Sequence, residues 1–263
     1  VDARPWGCAS RKRLVLRSRG GLVPARLTIV CDDFSGAEAG FRTSYGFALV
    51  IRLEDRVVLF DAGTHRRDLM ANLHACGLHA RDLSALILSH NHFDHTDGLP
   101  GLLDENPDLP VYVHQDWDEP HSFKGFVVPQ RNRVQARSGG ERPELGSGLL
   151  LTSSRFSSDY GAIYEQACCV QTASASILIT GCCHPGLDVF LDELGGVVGA
   201  NERPLYIIGG LHGFSFSAAQ AAAIERQLRR IVCCHCTTEY DTFKSQFGDR
   251  CQRLPVGAAL EIP

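Results

Sequence analysis

Between residues 89 and 99 the chain reads Ser-His-Asn-His-Phe-Asp-His-Thr-Asp-Gly-Leu, with three imidazoles and a carboxylate inside six positions. The apolar run Ala85-Leu86-Ile87-Leu88 precedes it. A buried strand therefore delivers these polar groups, and a glycine-ended loop turns them inward. Ordinary packing has no use for so many polar groups at a strand end, whereas a pair of divalent cations does. On an extended strand end His90 and His92 share one side and suit one ion. Asp94 and His95 follow where the chain turns and suit a second ion beside the first. Imidazole nitrogen and carboxylate oxygen are donors for zinc, iron and related ions. Two ions about 3.5–4 Å apart can hold a bridging hydroxide and clamp a substrate oxygen.

The chain has 263 residues, of which 44% are hydrophobic, enough for one large domain with a sizeable core. No apolar run reaches the roughly 18 residues that a membrane-spanning helix needs, so no membrane partner is expected. The net charge of −4 is uneven. Residues 1–26 hold seven basic residues and one acid, a local +6, which leaves −10 for the rest. This segment is expected to be a basic N-terminal extension outside the core. It lacks the apolar centre of a secretory signal, and a short basic stretch alone does not indicate nucleic acid. The eleven cysteines are odd in number and partly vicinal, as in Cys168-Cys169, Cys182-Cys183 and Cys233-Cys234. That pattern argues against a disulfide framework and for a reducing, cytoplasmic setting.

Along the chain, strands are expected at Leu27 to Cys31, Tyr45 to Leu53 and Arg56 to Phe60, the last two forming a hairpin across Glu54-Asp55. Helical spacing covers Arg67 to Cys76 and stops at Gly77. Residues 115–148 are polar and irregular and read as a surface insertion near a site; within it, His121, Lys124 and Arg131 to Arg137 are candidate substrate contacts. Further strands at Cys168 to Ala173, Ser176 to Thr180, Leu205 to Ile208 and Ile231 to Cys234 then alternate with helices at Leu187 to Leu194 and Ala218 to Arg230. Two sheets with helices on both outer faces accommodate this order. His65, His74 and His79, on or beside the first helix, read as solvated, and His114 reads as a packing residue.

The run His90-x-His92-x-Asp94-His95, together with the upstream Phe60-Asp61-Ala62-Gly63, resembles the signature of the metallo-β-lactamase superfamily across residues 27–260 or so. The resemblance implies an α+β fold, an αββα sandwich spanning 27–263, with a dinuclear site at the edge between the sheets and Asp61 supporting it from behind. It also implies further ligands from the second half. The strand Ile177 to Gly181 is followed by Cys182-Cys183-His184, where many relatives carry a bridging aspartate. His184 is therefore the expected third histidine, and either Cys182 or Cys183 is a candidate replacement for the carboxylate. His235, at the end of Ile231 to Cys234, occupies the place of the superfamily's last metal histidine. His212, in Gly209-Gly210-Leu211-His212, is a candidate to donate to a substrate oxygen or leaving group.

The set Gly-Cys-x-His (181–184), Gly-Gly-Leu-His (209–212) and Cys-His-Cys-Thr (234–237) is similar to the subgroup that includes the dihydropterin aminobenzene ribofuranosyl phosphate synthases. The expected activity is a dinuclear metal-dependent hydrolase that turns metal-bound hydroxide on a phosphoester or carbonyl-type small molecule. The expected cofactors are two divalent ions, zinc first and iron or manganese as alternatives. Asp94 would bind the second ion and orient the nucleophile. A synthase-like transferase and a non-catalytic metal or redox sensor are the alternatives. The substrate and the oligomeric state stay open.

Overall fold

The computed structural model describes residues 24–119, 122–135, 145–146, 148–198 and 203–263. The first half supplies strands β1 (Ala25–Cys31), β2 (Ala48–Arg52), β3 (Val57–Phe60), β4 (Ala85–Ile87), β5 (Val111–Val113) and β6 (Arg133–Gln135). The second half supplies β7 (Leu149–Leu151), a hairpin of β8 (Arg155–Ser157) and β9 (Ile163–Glu165), then β10 (Cys168–Gln171), β11 (Ser176–Thr180), β12 (Leu205–Gly210), β13 (Leu228–Cys234), β14 (Cys251–Gln252) and β15 (Ala259–Ile262). One sheet has the order β15-β1-β2-β3-β4-β5-β6 and the other β14-β13-β12-β11-β10-β7. Each half begins as an antiparallel meander and continues as parallel strands.

Period-two alternation assigns the faces of each strand. Leu49 and Ile51 of β2 pack with Ile177 and Ile179 of β11 in a core between the sheets. Ala48 and Val50 face outward under the helices α1 (Arg66–Ala75) and α3 (Leu99–Glu105). Leu178 faces outward under α4 (Leu187–Val198), α5 (Ala218–Glu225) and α6 (Tyr240–Phe247). Three apolar clusters separated by two sheets make the four-layer αββα sandwich that the sequence leads one to expect.

Several local expectations shift. Ala25 and Arg26, grouped by sequence with the basic extension, belong to β1 and pair with Ile262 and Glu261. Residues 1–23 lie outside the described residues, as do His121 and residues 136–144. The segment 115–148 is not wholly irregular, because its Arg133–Gln135 forms an edge strand parallel to β5. The strand before the histidines ends at Ile87, so His90 and His92 stand on a loop beyond it rather than on the strand itself. A one-turn helix, α2 (Phe93–Thr96), then carries Asp94 and His95. The reason is local: the Leu88 amide still bonds the Tyr112 carbonyl of β5, but the Ser89 amide turns to the Asp61 carboxylate in place of a neighbouring strand.

The topology gathers the chemistry at one rim. Strands β1, β3, β4, β11, β12 and β13 all end there, delivering in turn Asp32 and Asp33, Asp61, His90, Cys182 to His184, His212 and His235.

Candidate metal centre

Asp61 organises the first half of the rim. Its Oδ1 accepts the Ser89 amide at 2.7 Å, and its Oδ2 accepts the Ser89 hydroxyl at 2.7 Å and faces His95 Nδ1 at 2.7 Å. The Ser89 hydroxyl, having given its proton to Asp61, accepts from His90 Nδ1 at 2.8 Å. These bonds place the ring proton of His90 and His95 on Nδ1 and leave a lone pair on Nε2. The second half repeats the device. His184 Nδ1 lies 3.2 Å from Asp159 Oδ2, and His235 Nδ1 lies 2.7 Å from Asp33 Oδ1. Four imidazoles are thus held from behind with Nε2 turned to a common space, where His95 Nε2 meets Cys182 Sγ and His235 Nε2 meets Asp94 Oδ2.

Those inward atoms form two triads. His90, His92 and His184 make one, Asp94, His95 and His235 the other, and within each the candidate ligand atoms lie within 4.8 Å of one another. The Nε2 atoms of His90, His92 and His184 and Oδ1 of Asp94 are buried without a hydrogen-bond partner. Buried polar atoms are satisfied in the great majority of cases. Four orphaned atoms shared between these two triads, on residue types that ligate divalent ions, fit a pair of bound cations. Cys182 lies between the triads. Its Sγ is 3.2 Å from His95 Nε2, and it groups within 4.8 Å with His90 and His95 and, separately, with His235 and Cys236. Cys183, the other cysteine left open by sequence, points instead into the outer core beside Cys169 and Leu187.

The two triads differ electrostatically. Burial, reinforced by the neighbouring imidazoles, holds His90 well below its ordinary pKa and puts His92 at about 4 and His184 at about 3. These rings stay neutral, as metal ligation requires. In the other triad burial also opposes charge, but carboxylates outweigh it. Asp61 and Asp94 raise His95, while Asp33 and Asp94 lift His235 to about 10. Asp94 itself is held below the usual carboxylate range, since His95 and His235 outweigh its burial.

Besides Asp33 and Asp159, two further structural carboxylates escaped the sequence reading. Glu165, fully buried at the end of β9, accepts the amides of Cys182 at 3.0 Å, Cys183 at 2.8 Å and His184 at 2.8 Å. It fixes the loop that carries the second-half donors, and burial lifts its pKa to about 7. Asp32 accepts the His235 amide at 2.5 Å, and burial lifts its pKa to about 6. The acidic pair Asp32-Asp33 directly after a strand was the available signal for the latter. Nothing in the sequence pointed to Glu165, because the short hairpin bearing it has no clear alternation.

The loops around the centre are strained. Among the described residues, Asp61, Phe123, Tyr160, Cys183, His212 and His235 are the non-glycine residues with positive φ, from 41° to 64°. Such backbone costs about 1–3 kcal/mol per residue and concentrates at functional sites. Space is also tight: a Cβ on Gly181 would stand 2.1 Å from Ser89 Oγ and 3.0 Å from Asp61 Oδ2, so only glycine lets β11 approach the Asp61–Ser89 pair.

His212 stands at the mouth rather than inside. It is half-buried, its ring centroid lies 4.6 Å from that of His184, and its Nδ1 is buried without a partner. A hydrogen bond to Cys236 raises its pKa against the effect of partial burial. Exposed aromatics collar this mouth. Phe123 lies 5.8 Å and Tyr160 5.9 Å from His92, the two rings are 5.2 Å apart, and Tyr45 stands 5.1 Å from His235. His114 lies off the centre, buried beside Trp117 at 5.4 Å as a packing residue.

Residues 42–213 match the family model described as the metallo-beta-lactamase superfamily. Over 94% of its length the chain is 22% identical to the whole of the 7,8-dihydropterin-6-methyl-4-(β-D-ribofuranosyl)-aminobenzene-5′-phosphate synthase of Methanocaldococcus jannaschii. Over 78% of its length it is 32% identical to 81% of an uncharacterized protein from the same organism. Among solved structures, Tm1679, described as a metal-dependent hydrolase of the beta-lactamase superfamily, superposes with a TM-score of 0.70 at 24% identity, covering 90% of this chain and 99% of that one.

Proposed function

Starting from the fact that the chain belongs to the metallo-β-lactamase superfamily, we propose that it is a dinuclear metal-dependent hydrolase of a small molecule bearing a phosphoester or carbonyl-type bond. One observation carries the reading: the orphaned buried Nε2 atoms of His90, His92 and His184 converge within 4.8 Å of one another, and Asp94, whose Oδ1 is likewise unpartnered, groups with His95 and His235 in a second triad. His90, His92 and His184 would hold one divalent ion and Asp94, His95 and His235 the other, with Cys182 between them where relatives carry a carboxylate. Zinc suits this nitrogen, oxygen and sulfur donor set. Bound ions of this kind supply Lewis acidity and an activated water at neutral pH.

The chain's own residues supply the rest. Asp61, Asp159 and Asp33 hold the Nδ1 side of their rings and leave Nε2 as the atom each ring would present to an ion. Asp94 Oδ2 lies 3.1 Å from His235 Nε2, while its Oδ1 is buried without a hydrogen-bond partner and would be available to orient a nucleophile. His212 lies at the mouth, within one ring of His184, and there can donate a proton to the leaving group.

The test is elemental analysis of protein purified without added metal, joined to a panel of bis-p-nitrophenyl phosphate and lactones. About two ions per chain and metal-dependent turnover that His92→Ala abolishes are expected. An ion-free, inert protein that stays inert on zinc or manganese addition would overturn the reading.

The aromatic collar favours a second reading, transfer rather than hydrolysis. Tyr45, Phe123 and Tyr160 are exposed aromatic rings in edge contact with His235 and His92, and aromatic side chains so placed can take up a planar ring. The relative from M. jannaschii is named as the synthase of a compound that contains a dihydropterin and an aminobenzene. Saturable binding of a 6-substituted 7,8-dihydropterin, lost in Tyr160→Ala, would support the transferase; turnover of the panel with no pterin binding would support the hydrolase.

A further inference from the structure

A second cluster of metal-type donors lies at the far end of α1, about 15 Å along that helix from the strand-end rim. His74 sits in its last turn. The chain then reverses through Gly77, where φ is +70° and the amides of Gly77 and Leu78 bond back to His74 and Leu73. This turn sets His79 beside His74, with ring centroids 4.7 Å apart and planes at 51°. Glu105, the last residue of α3, closes the group. Its Oε1 lies 3.3 Å from His74 Nε2 and its Oε2 3.9 Å from His79 Nδ1.

The carboxylate is not free to leave. Oε2 also accepts the Ala80 amide at 3.1 Å, and Arg81 Nε donates to the Glu105 carbonyl at 3.3 Å. His79 is tied at its backbone, where the amide donates to Asp82 Oδ2 at 2.8 Å. One ligand atom from each of the three residues falls within a 4.8 Å envelope.

A single divalent cation satisfies all three groups. Zinc–nitrogen and zinc–oxygen bonds of about 2.0–2.1 Å place tetrahedral neighbours about 3.3–3.4 Å apart. The His74–Glu105 separation of 3.3 Å already matches, and the 3.9 Å separation closes by rotation of His79, which is 67% exposed. The carbonyl ends of α1 and α3 both point here, adding negative potential. Two imidazoles and one carboxylate select a transition ion such as Zn²⁺, Ni²⁺ or Cu²⁺ over Mg²⁺ or Ca²⁺.

We propose that His74, His79 and Glu105 form an accessory transition-metal site that clamps the end of α1 to the end of α3, separate from the strand-end centre. The test is equilibrium dialysis of the metal-loaded full chain against micromolar free zinc, comparing wild type with the double variant His74→Gln/His79→Gln. Both rings are substantially exposed, and thermal melting in the absence of zinc checks that the variant folds as wild type does. The variant should bind one ion fewer per chain and lose the zinc-dependent rise in melting temperature. His92→Ala should keep that rise while losing ions at the rim, so failure of the accessory site and failure of the strand-end centre read differently. Equal zinc uptake and equal melting shifts in wild type and the double variant would overturn the proposal.

Discussion

The two triads of the strand-end centre face the same space yet are built on opposite electrostatic plans. His90, His92 and His184 form a neutral ring of imidazoles whose charging is opposed by burial and by one another. Asp94, His95 and His235 form a carboxylate-rich set in which Asp94, Asp61 and Asp33 favour positive charge on the rings. Each triad also mixes donors from both halves of the sandwich: the loop after β4 supplies two members and a second-sheet strand end supplies the third. The lesson is that the centre exists only when the two sheets are in register. Neither half can hold an ion through a full donor set, and the difference between the triads lies in what stands behind the rings rather than in the rings.

The largest effects should come from breaking one triad at a time. His92→Ala strikes the neutral set and Asp94→Asn the carboxylate set. Each should lower turnover by about 10²-fold or more, since removing even the groups that orient a ligand costs 10- to 100-fold. The comparison is sharpened by metal content. His92→Ala should lose one ion and retain the other, and Asp94→Asn should do the reverse; if both lost both ions equally, the two sets would act as one cooperative unit.

Glu165 tests whether the second-half donors depend on a single buried support. Glu165→Ala leaves the amides of Cys182, Cys183 and His184 without their acceptor inside the protein. A loss of about 3 kcal/mol in folding stability is expected by denaturant unfolding, from several buried donors left unsatisfied. Glu165→Gln keeps one acceptor oxygen and should recover part of it. Because its hydrogen bonds reach the amides of Cys182, Cys183 and His184, His184 should lose its place before His90 does.

The carboxylates behind the rings give the next smaller effect and address the comparison directly. Asp159 backs His184 in the neutral triad, and Asp33 backs His235 in the other. Asp33→Asn and Asp159→Asn should each weaken metal retention by about 10- to 100-fold, measured by chelator competition. Each should act on its own triad. Asp33 stands 2.7 Å from its ring against 3.2 Å for Asp159, and is 33% exposed against 40%, so the Asp33 variant should lose more.

How much of this was legible in the sequence follows the same division. His90, His92, Asp94 and His95 fall within six residues, so spacing alone brought them together, and apolar patterning placed the central strands and outer helices but not the edge strands β6, β14 and β15. His184, His212 and His235 are far apart in the chain, and only the resemblance of their strand-end settings linked them; the parallel β11-β12-β13 arrangement is what sets them at one rim. Glu165, Asp159 and Tyr160 were missed because a short hairpin without alternation carries them, and their importance comes from where that hairpin packs. The choice between Cys182 and Cys183 was equally hidden. Adjacent residues past a strand end face opposite ways, and the positive φ of Cys183 decides which one turns to the donors.

The smallest expected effect uses a buried imidazole outside the centre as the control for burial without ligation. His114 is 2% exposed, and burial depresses its pKa to about 4 from the ordinary 6.5. Above pH 6.5 the ring is neutral in both folded and unfolded chains and makes stability no more pH-dependent. As pH falls below 6.5 the unfolded ring takes up a proton that the folded one refuses, so stability declines until about pH 4, where the folded ring is protonated too. Between neutral pH and a value one pH unit below the unfolded pKa, this group should account for a loss of about 1 kcal/mol. Denaturant midpoints of wild type and His114→Gln should therefore converge as the solution is acidified, with the variant the less pH-sensitive of the two. Parallel pH profiles would mean that His114 accepts a proton in place, and that burial alone does not keep a ring neutral in this fold; the neutrality of the first triad would then rest on the mutual repulsion of its imidazoles.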